Sequence, residues 1–184
     1  MNLLEAVRRR FARPPEVVRA ALDEGEQALA WGALARDEGW LVATERGLLR
    51  LGADGAVEGP LPWHEIGSAR WSAAGDTGGA FLVSALAEVE PGVQTRLPVR
   101  RHVLADAGDL PAVVRRRVDG TVVATQRFPL PGRGGVLLVA RRIPGQAVRE
   151  WTVVFDDDAD RADPAAREAA RRKLAEIVAA EQPD

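Results

Sequence analysis

The chain has 184 residues, 46% of them hydrophobic, and carries a formal net charge of -2 at pH 7. This length is enough for one well-cored domain, or for a domain with a smaller appendage. The slightly acidic balance removes the bulk electrostatic case for nucleic-acid binding. The absence of cysteine excludes disulfides, thiolate metal sites and cysteine nucleophiles.

The N-terminal segment, residues 1–24, is predicted to form two helices. In residues 2–12, apolar side chains recur at three- and four-residue spacing, and a second helix is predicted after two prolines that suit a first turn. The first helix has two alternative docking partners, the protein's own sheet or an anionic membrane surface. The candidate anionic-surface contacts are Arg8, Arg9, Arg10 and Arg13.

The same segment bears on localisation. Its arginines follow a short apolar run, which is the reverse of the order in a secretory signal. No apolar run approaches the roughly 20 residues of a membrane-spanning helix. The sequence therefore predicts a cytoplasmic protein, peripheral to the membrane if the first helix binds lipid. Its alanine- and arginine-rich composition is typical of high-GC bacteria.

Residues 25–119 are predicted to form a β domain. The stretch GWLVATERGLLRL has a tight turn between two strands, and LPWHEIGSARW is predicted to be one further strand, bent near Gly67. AFLVSAL is predicted as a buried strand and VQTRLPV as an edge strand, because Pro98 lacks a backbone donor. A helix over residues 109–118 follows. Trp40 and Trp63 are predicted to be core residues of one barrel, because each lies in a predicted strand whose alternate residues are apolar or small.

Residues 120–184 are predicted to form a three-stranded meander and a final helix. The strands are TVVATQRFPL, GGVLLVARRI and REWTVVF, and the helix covers residues 163–181 with Asp163 as its N-cap. A meander alone has one face to bury, so this part is expected to pack with the β domain as one unit.

Three stretches between residues 25 and 86 resemble the first four strands of bacterial PH-like domains. They are GEQALAWGAL, WLVATERGLLRL and LPWHEIGSARW, and the family pattern is a T-x-R-x-L hairpin followed by a P-W/Y-x-x-I strand. The matching residues are Thr44, Arg46, Leu48 or Leu49, Pro62, Trp63 and Ile66.

This resemblance implies seven strands in two packed sheets, closed by one helix. The expected fold class is therefore α+β and mainly antiparallel, a PH-like barrel or sandwich with capping helices at residues 109–118 and 163–181. In one register the strands up to VQTRLPV complete the barrel and the helix at 109–118 caps it. In the alternative, the last three strands and the final helix complete it, and residues 79–119 form an insertion.

Histidine chemistry is not favoured. If LPWHEI is a strand, His64 and Glu65 point to opposite faces and form no dyad. His102 has no acid or hydroxyl group at a telling spacing, and two histidines without cysteine make a zinc site an unfavoured interpretation.

The acidic stretch DDDADRAD at residues 156–163 has the first spacings of a calcium loop. Its sixth position is Arg161 instead of glycine and its twelfth is Arg167 instead of glutamate. An acidic loop before a helix N-terminus explains it better. No catalytic, cofactor-binding or metal-ligating set is therefore predicted.

The favoured function is a non-catalytic PH-like binding or scaffolding module with no cofactor and a protein as its partner. The alternatives are a subunit of an obligate complex, with the helix at 109–118 or the final helix as its interface, and an enzyme whose site comes from residues distant in sequence.

Overall fold

The computed structural model describes residues 13–181. It is an α+β protein with mostly antiparallel strands, which confirms the predicted fold class at this level. The helices are α1 (Glu16–Ala20), α2 (Leu110–Thr121) and α3 (Pro164–Glu181). The strands are β1 (Ala28–Leu34), β2 (Trp40–Thr44), β3 (Gly47–Leu51), β4 (Val57–Pro62), β5 (Ile66–Ala74), β6 (Gly78–Glu90), β7 (Val93–Arg96), β8 (Arg100–Asp106), β9 (Val122–Pro129), β10 (Gly135–Arg141) and β11 (Glu150–Phe155).

The chain divides into two compact units, the first containing the described part of residues 1–85 together with residues 98–119. Its strand order is β4-β3-β2-β1-β8-β6, with β5 on the far side of β6. All of these pairings are antiparallel. In the described part of the chain no ladder joins β4 to β5, so the sheet is open and the predicted closed barrel is not found.

The core of the first unit lies on one face of this sheet. Leu41 of β2, Leu48 of β3 and Leu104 of β8 are buried there together with Trp63 and Phe81. Helix α2 adds apolar residues to the same core: Leu110, Val113, Val114 and Val118. The predicted helix at 109–118 is confirmed and extends to Thr121.

A second, smaller cluster lies on the other face of β2 and β3. Val42 and Leu49 are buried there against Val18 of α1, and Trp40 packs at the edge while partly buried. Trp40 and Trp63 therefore belong to different clusters, whereas the sequence predicted a single core containing both. The alternation of side chains along β2 explains the separation, because Trp40 and Leu41 point to opposite faces.

The stretch LPWHEI is not one strand, as the sequence predicted. Strand β4 ends at Pro62, Trp63–Glu65 form a single 3-10 turn, and β5 begins at Ile66. Trp63 remains a core residue, only 4% exposed, because the turn points its ring inward.

The second unit contains residues 86–97 and 120–184, of which the structure describes those up to 181. The end of β6 pairs with β7, and the order continues β7-β11-β10-β9. The β7–β11 ladder is parallel. Helix α3 covers one face, where Ala166, Ala169 and Ala170 are buried against Leu138 and Val153.

The predicted start of the final helix is confirmed. The side-chain oxygen Oδ1 of Asp163 accepts a hydrogen bond from the backbone N–H of Ala165 at 2.9 Å, as an N-cap residue does. Leu174 and Ile177 of this helix pack against the core, whereas Val178 is 39% exposed.

The predicted helix over residues 2–12 lies outside the described residues. Helix α1 begins after Pro15 and is a short segment of five residues, of which Val18 is buried. Among the described residues, no helix has both the length and the apolar character that a bilayer crossing requires.

One carboxylate joins the β6–β7 hairpin to α3. Glu90 accepts hydrogen bonds from the guanidiniums of Arg167 and Arg171. The hydrogen bond from Arg171 is the largest cause that lowers the pKa of Glu90 below its ordinary value of 4.5. A carboxyl group whose pKa is lowered by folding stabilises the fold above its unfolded pKa and loses that contribution as pH falls.

We expect Glu90→Gln to reduce the acid sensitivity of the protein. The wild-type melting temperature should fall more steeply than that of the variant as pH drops from the ordinary carboxyl pKa of 4.5 through the lower folded value. Thermal melts at a series of pH values measure the difference. Parallel curves for the two proteins would show that the Glu90 contacts do not persist in solution.

Candidate functional site

The residues that carry the resemblance to PH-like domains form the turn between β2 and β3 and the tryptophan that packs over it. The hydroxyl oxygen of Thr44 accepts hydrogen bonds from the backbone N–H groups of Arg46 and Gly47 between β2 and β3. The Nε1–H of Trp63 donates to the backbone oxygens of Thr44 and Glu45, both at 3.1 Å. The resembling residues therefore have a structural role and form no chemical site.

His64 and Glu65 come closer than a strand would allow, because they lie in the 3-10 turn. His64 Nε2 lies 3.9 Å from Glu65 Oε1, which is too long for a hydrogen bond. The His64 side chain is 21% exposed, and its Nδ1 is enclosed without a hydrogen-bond partner in the described part of the chain. The His64 side chain is thus partly buried, and it forms no dyad with Glu65.

The acidic stretch after β11 is engaged by arginines and by the backbone. Asp156 pairs with Arg127 at 2.6 Å and Asp157 with Arg96 at 3.4 Å. Asp160 Oδ1 accepts a backbone hydrogen bond from Ala162 at 2.9 Å. These carboxylates are held in separate contacts and do not converge on a common point, so the arrangement is unlike a calcium loop.

Of the four arginines predicted to contact an anionic surface, only Arg13 lies in the described residues. It is exposed and precedes α1. Arg8, Arg9 and Arg10 lie outside the described residues, so the membrane contact stays a prediction.

The first unit carries a polar cluster at one end of its core-lined face, which we name the inner-face cluster. It consists of Arg50 on β3, Glu58 on β4, and Arg100 and His102 on β8. Arg50 shares a face with Leu48, two residues away, and pairs in register with Glu58. Arg100 and His102 precede Leu104 along β8 at the same two-residue spacing. The cluster therefore continues the apolar core toward solvent.

Glu58 is the centre of this cluster. Its Oε1 lies 3.2 Å from Arg50 Nη1, and its Oε2 lies 3.6 Å from Arg100 Nη1. The Arg50 side chain is 32% exposed, whereas Glu58 is 56% and Arg100 is 77% exposed. One carboxylate thus faces two guanidiniums from two strands, and the more exposed guanidinium makes the weaker contact.

His102 is half-buried beside this carboxylate. Burial is the main cause that lowers the pKa of His102 below 6.5; Arg50 and Arg100 lower it further, while Glu58 opposes them. The imidazole is therefore mostly neutral at neutral pH, and the cluster then has two positive charges against one negative charge.

The inner-face cluster has the chemistry of anion recognition. Guanidiniums hold carboxylates and phosphates through paired N–H groups, and a neutral imidazole adds one donor and one acceptor. Between His102 and Glu58 there is neither a hydrogen bond nor an ion pair in the described part of the chain. No hydroxyl nucleophile belongs to the cluster, so it has no assembled acid–base set.

Sequence reasoning singled out His102 but missed the cluster. The only available signal was the strand alternation that puts Arg100 and His102 on one face, and VRRHVL was not assigned to a strand. Arg50 and Glu58 join them only through pairing between β3 and β4 and through the curvature of the sheet.

A separate open groove of about 470 Å³ lies at the ends of β5, β6 and β8. Its lining includes Ser72, Asp76, Thr77 and Arg101, with small residues such as Ala80 between them. Neither histidine lines it, so it does not combine an imidazole with an acid. Within the described range, no three His, Asp or Glu side chains are grouped as a metal ion would require.

Comparison with known proteins adds no relative, since no family model, no curated protein and no solved structure matches the chain.

Proposed function

We propose that the chain is a non-catalytic binding module, that its first unit is a PH-like domain, and that the inner-face cluster binds an acidic segment of a partner protein. The observation that carries the proposal is the cluster itself, in which two guanidiniums contact one partly exposed carboxylate and a half-buried imidazole lies on the same face. The proposal extends the resemblance of residues 25–86 to a ligand site.

The order of elements in the first unit supports the PH-like assignment. A four-stranded meander, β1 to β4, is followed by β5, β6 and β8, and then by helix α2, whose apolar side completes the core. Seven strands followed by one closing helix are what the PH-like resemblance implies. Strand β7 does not belong to this set, because it lies in the second unit.

The burial pattern supports binding in preference to catalysis. Within the described residues, the core-lined face is filled by leucines, valines and Trp63, so the core itself is packed with side chains. The polar groups lie at the solvent end of that face, where a partner's side chain reaches them without entering the core.

In the unbound protein, the Glu58 carboxylate takes the place that a carboxylate of the partner would occupy. Its contacts with Arg50 and Arg100 are partly exposed ion pairs, which contribute about 0–1 kcal/mol each. An incoming carboxylate therefore displaces Glu58 at low cost, and repeated acidic residues on a partner contact Arg50 and Arg100 at once. The two-to-one charge ratio favours an anionic ligand over a cationic one.

The test is the binding of a fluorescent heptaglutamate peptide, followed by anisotropy at low salt. Arg50→Gln should weaken binding about tenfold or more, because a charge-assisted hydrogen bond contributes about 1.5–3 kcal/mol. Glu58→Gln should strengthen binding, because it removes the competing carboxylate while preserving shape. Each change alters the net charge by one unit, so a specific site is distinguished from general charge attraction by an equal charge change made elsewhere on the surface.

Arg133→Gln is the matched control, because Arg133 is 80% exposed and pairs with Asp158 at 3.9 Å in the other unit. It should leave peptide binding unchanged. Equal losses in Arg50→Gln and Arg133→Gln would contradict the proposal. Vesicles containing anionic lipid form a second arm, and binding to vesicles but not to the peptide would instead identify a membrane-surface module.

A further inference from the structure

The second unit contains a buried cation with little compensation. Arg141, the last residue of β10, is only 8% exposed. Arginine remains protonated in proteins, so it cannot escape burial by becoming neutral. A buried charge costs several kcal/mol unless an opposite charge and further hydrogen bonds compensate for it. The groups around the guanidinium therefore decide how much of this cost is compensated.

Within the described part of the chain, this guanidinium has one hydrogen-bond partner. Arg141 Nη1 donates a hydrogen bond to Thr121 Oγ1 at 2.9 Å. Nε is enclosed and has no acceptor in the described part of the chain. Burial lowers the pKa of Arg141 from its ordinary value, and no acidic group acts in the opposite direction.

No carboxylate of the described residues lies within 4.0 Å of the Arg141 guanidinium. Glu150 stands opposite Arg141 in the β10–β11 ladder, yet its side chain is exposed. The carboxylate that the strand register places opposite Arg141 thus leaves the buried charge without a counter-ion.

The unused N–H donors of the Arg141 guanidinium point in defined directions. One N–H of Nη1 is donated to Thr121, so the unused donors are Nε–H, the other N–H of Nη1 and the two N–H groups of Nη2. Nε–H and one Nη2–H are parallel and form the side-on fork that holds two oxygens of a carboxylate or phosphate. Nη2 is not enclosed, whereas Nε lies below the surface, so bidentate binding requires a small local displacement.

We propose that Arg141, with Nη1 anchored by Thr121, is a binding site for an oxyanion, namely the carboxylate or phosphate group of a small ligand. Because little of Arg141 is exposed, a ligand reaches it only with its carboxylate or phosphate group foremost. The single positive charge of Arg141 is expected to pair with one negative charge of that group. This site lies within the second unit and does not depend on the inner-face cluster.

The test is calorimetric titration of the full chain with inorganic phosphate and, separately, with acetate, which distinguishes the two sources of the oxyanion. Saturable binding of at least one anion is expected, weakened tenfold or more in Arg141→Met. Arg142→Met is the matched control, because Arg142 is the exposed neighbour on the same segment, and it should bind like wild type. Absence of saturable binding, or equal binding in Arg141→Met, would overturn the proposal.

A readout on the wild-type protein covers the case in which Arg141→Met does not fold. The Nε–H resonance of Arg141, assigned by triple-resonance NMR, should shift during titration with the anion that binds. An Arg141 resonance that stays fixed while other arginine resonances move would show that the anion binds elsewhere and that this proposal is wrong.

Discussion

Trp63→Ala should lower the free energy of unfolding by about 3–5 kcal/mol, the range for truncating a buried large aromatic residue. Trp63 is 4% exposed and lies in the core with Ile66 and Phe81. Its Nε1–H also donates to two backbone oxygens of the β2–β3 turn, at Thr44 and Glu45. Truncation therefore creates a cavity and also removes the two hydrogen bonds from the indole to the turn.

Urea denaturation measures this effect, and two further variants separate its causes. Trp63→Phe keeps most of the ring volume and loses the hydrogen bonds, so it should cost about 1–3 kcal/mol. Trp40→Ala is the control for losing an indole that is only partly buried, and it should cost less than Trp63→Ala. Equal costs for Trp40→Ala and Trp63→Ala would contradict the assignment of Trp63 to the main core.

The two tryptophans show what periodicity predicts and what it does not. The apolar residues around them indicated burial, which is nearly complete for Trp63 and partial for Trp40. Assignment to one core failed because β2 and β3 are apolar on both faces, with Leu41 and Val42 fully enclosed on opposite sides. Alternating burial identifies faces only when one face is polar, and α1 removes that signal by covering the second face.

The strands after residue 86 were harder to predict. VQTRLPV was assigned to the β domain, but the strand it contains, β7, pairs with the end of β6 and with β11 in the second unit. The strand that does complete the first unit, β8, carries Arg100, Arg101 and His102 and therefore lacks a continuous apolar run. Its pairing with β1 and β6 is long-range, and no local pattern encodes it.

The candidate site was unpredictable for the same reason. Glu58 and Arg100 are brought together by the curvature of a sheet in which β4 and β8 are not neighbours. The local part of the site could be inferred in principle, since β3–β4 pairing places Arg50 opposite Glu58. The Thr44–Trp63 motif, by contrast, was visible in sequence because its residues shape a single turn and its cover.

The connection between β1 and β2 contains the position most sensitive to an added methyl group. Gly39 has a φ of +106°, and its carbonyl oxygen accepts a hydrogen bond from the Leu34 N–H at 2.9 Å. A Cβ atom at this position would lie 2.0 Å from the backbone oxygen of Leu51 and 2.8 Å from the carbonyl carbon of Gly52. Both contacts are with backbone, which cannot rotate away as a side chain can.

Gly39→Ala should therefore cost about 2–5 kcal/mol, combining about 1–2 kcal/mol of left-handed backbone strain with about 1–3 kcal/mol of overpacking. Gly55→Ala is the matched control, since Gly55 has a φ of +84° and nothing within 4 Å of its added Cβ. It carries the strain alone, about 1–2 kcal/mol. Urea midpoints of both variants isolate the steric part, and equal losses would show that Gly39 does not approach β3 in solution. Because a displaced Leu51 also moves Arg50, the Gly39 variant should in addition weaken heptaglutamate binding, which Gly55→Ala should leave intact.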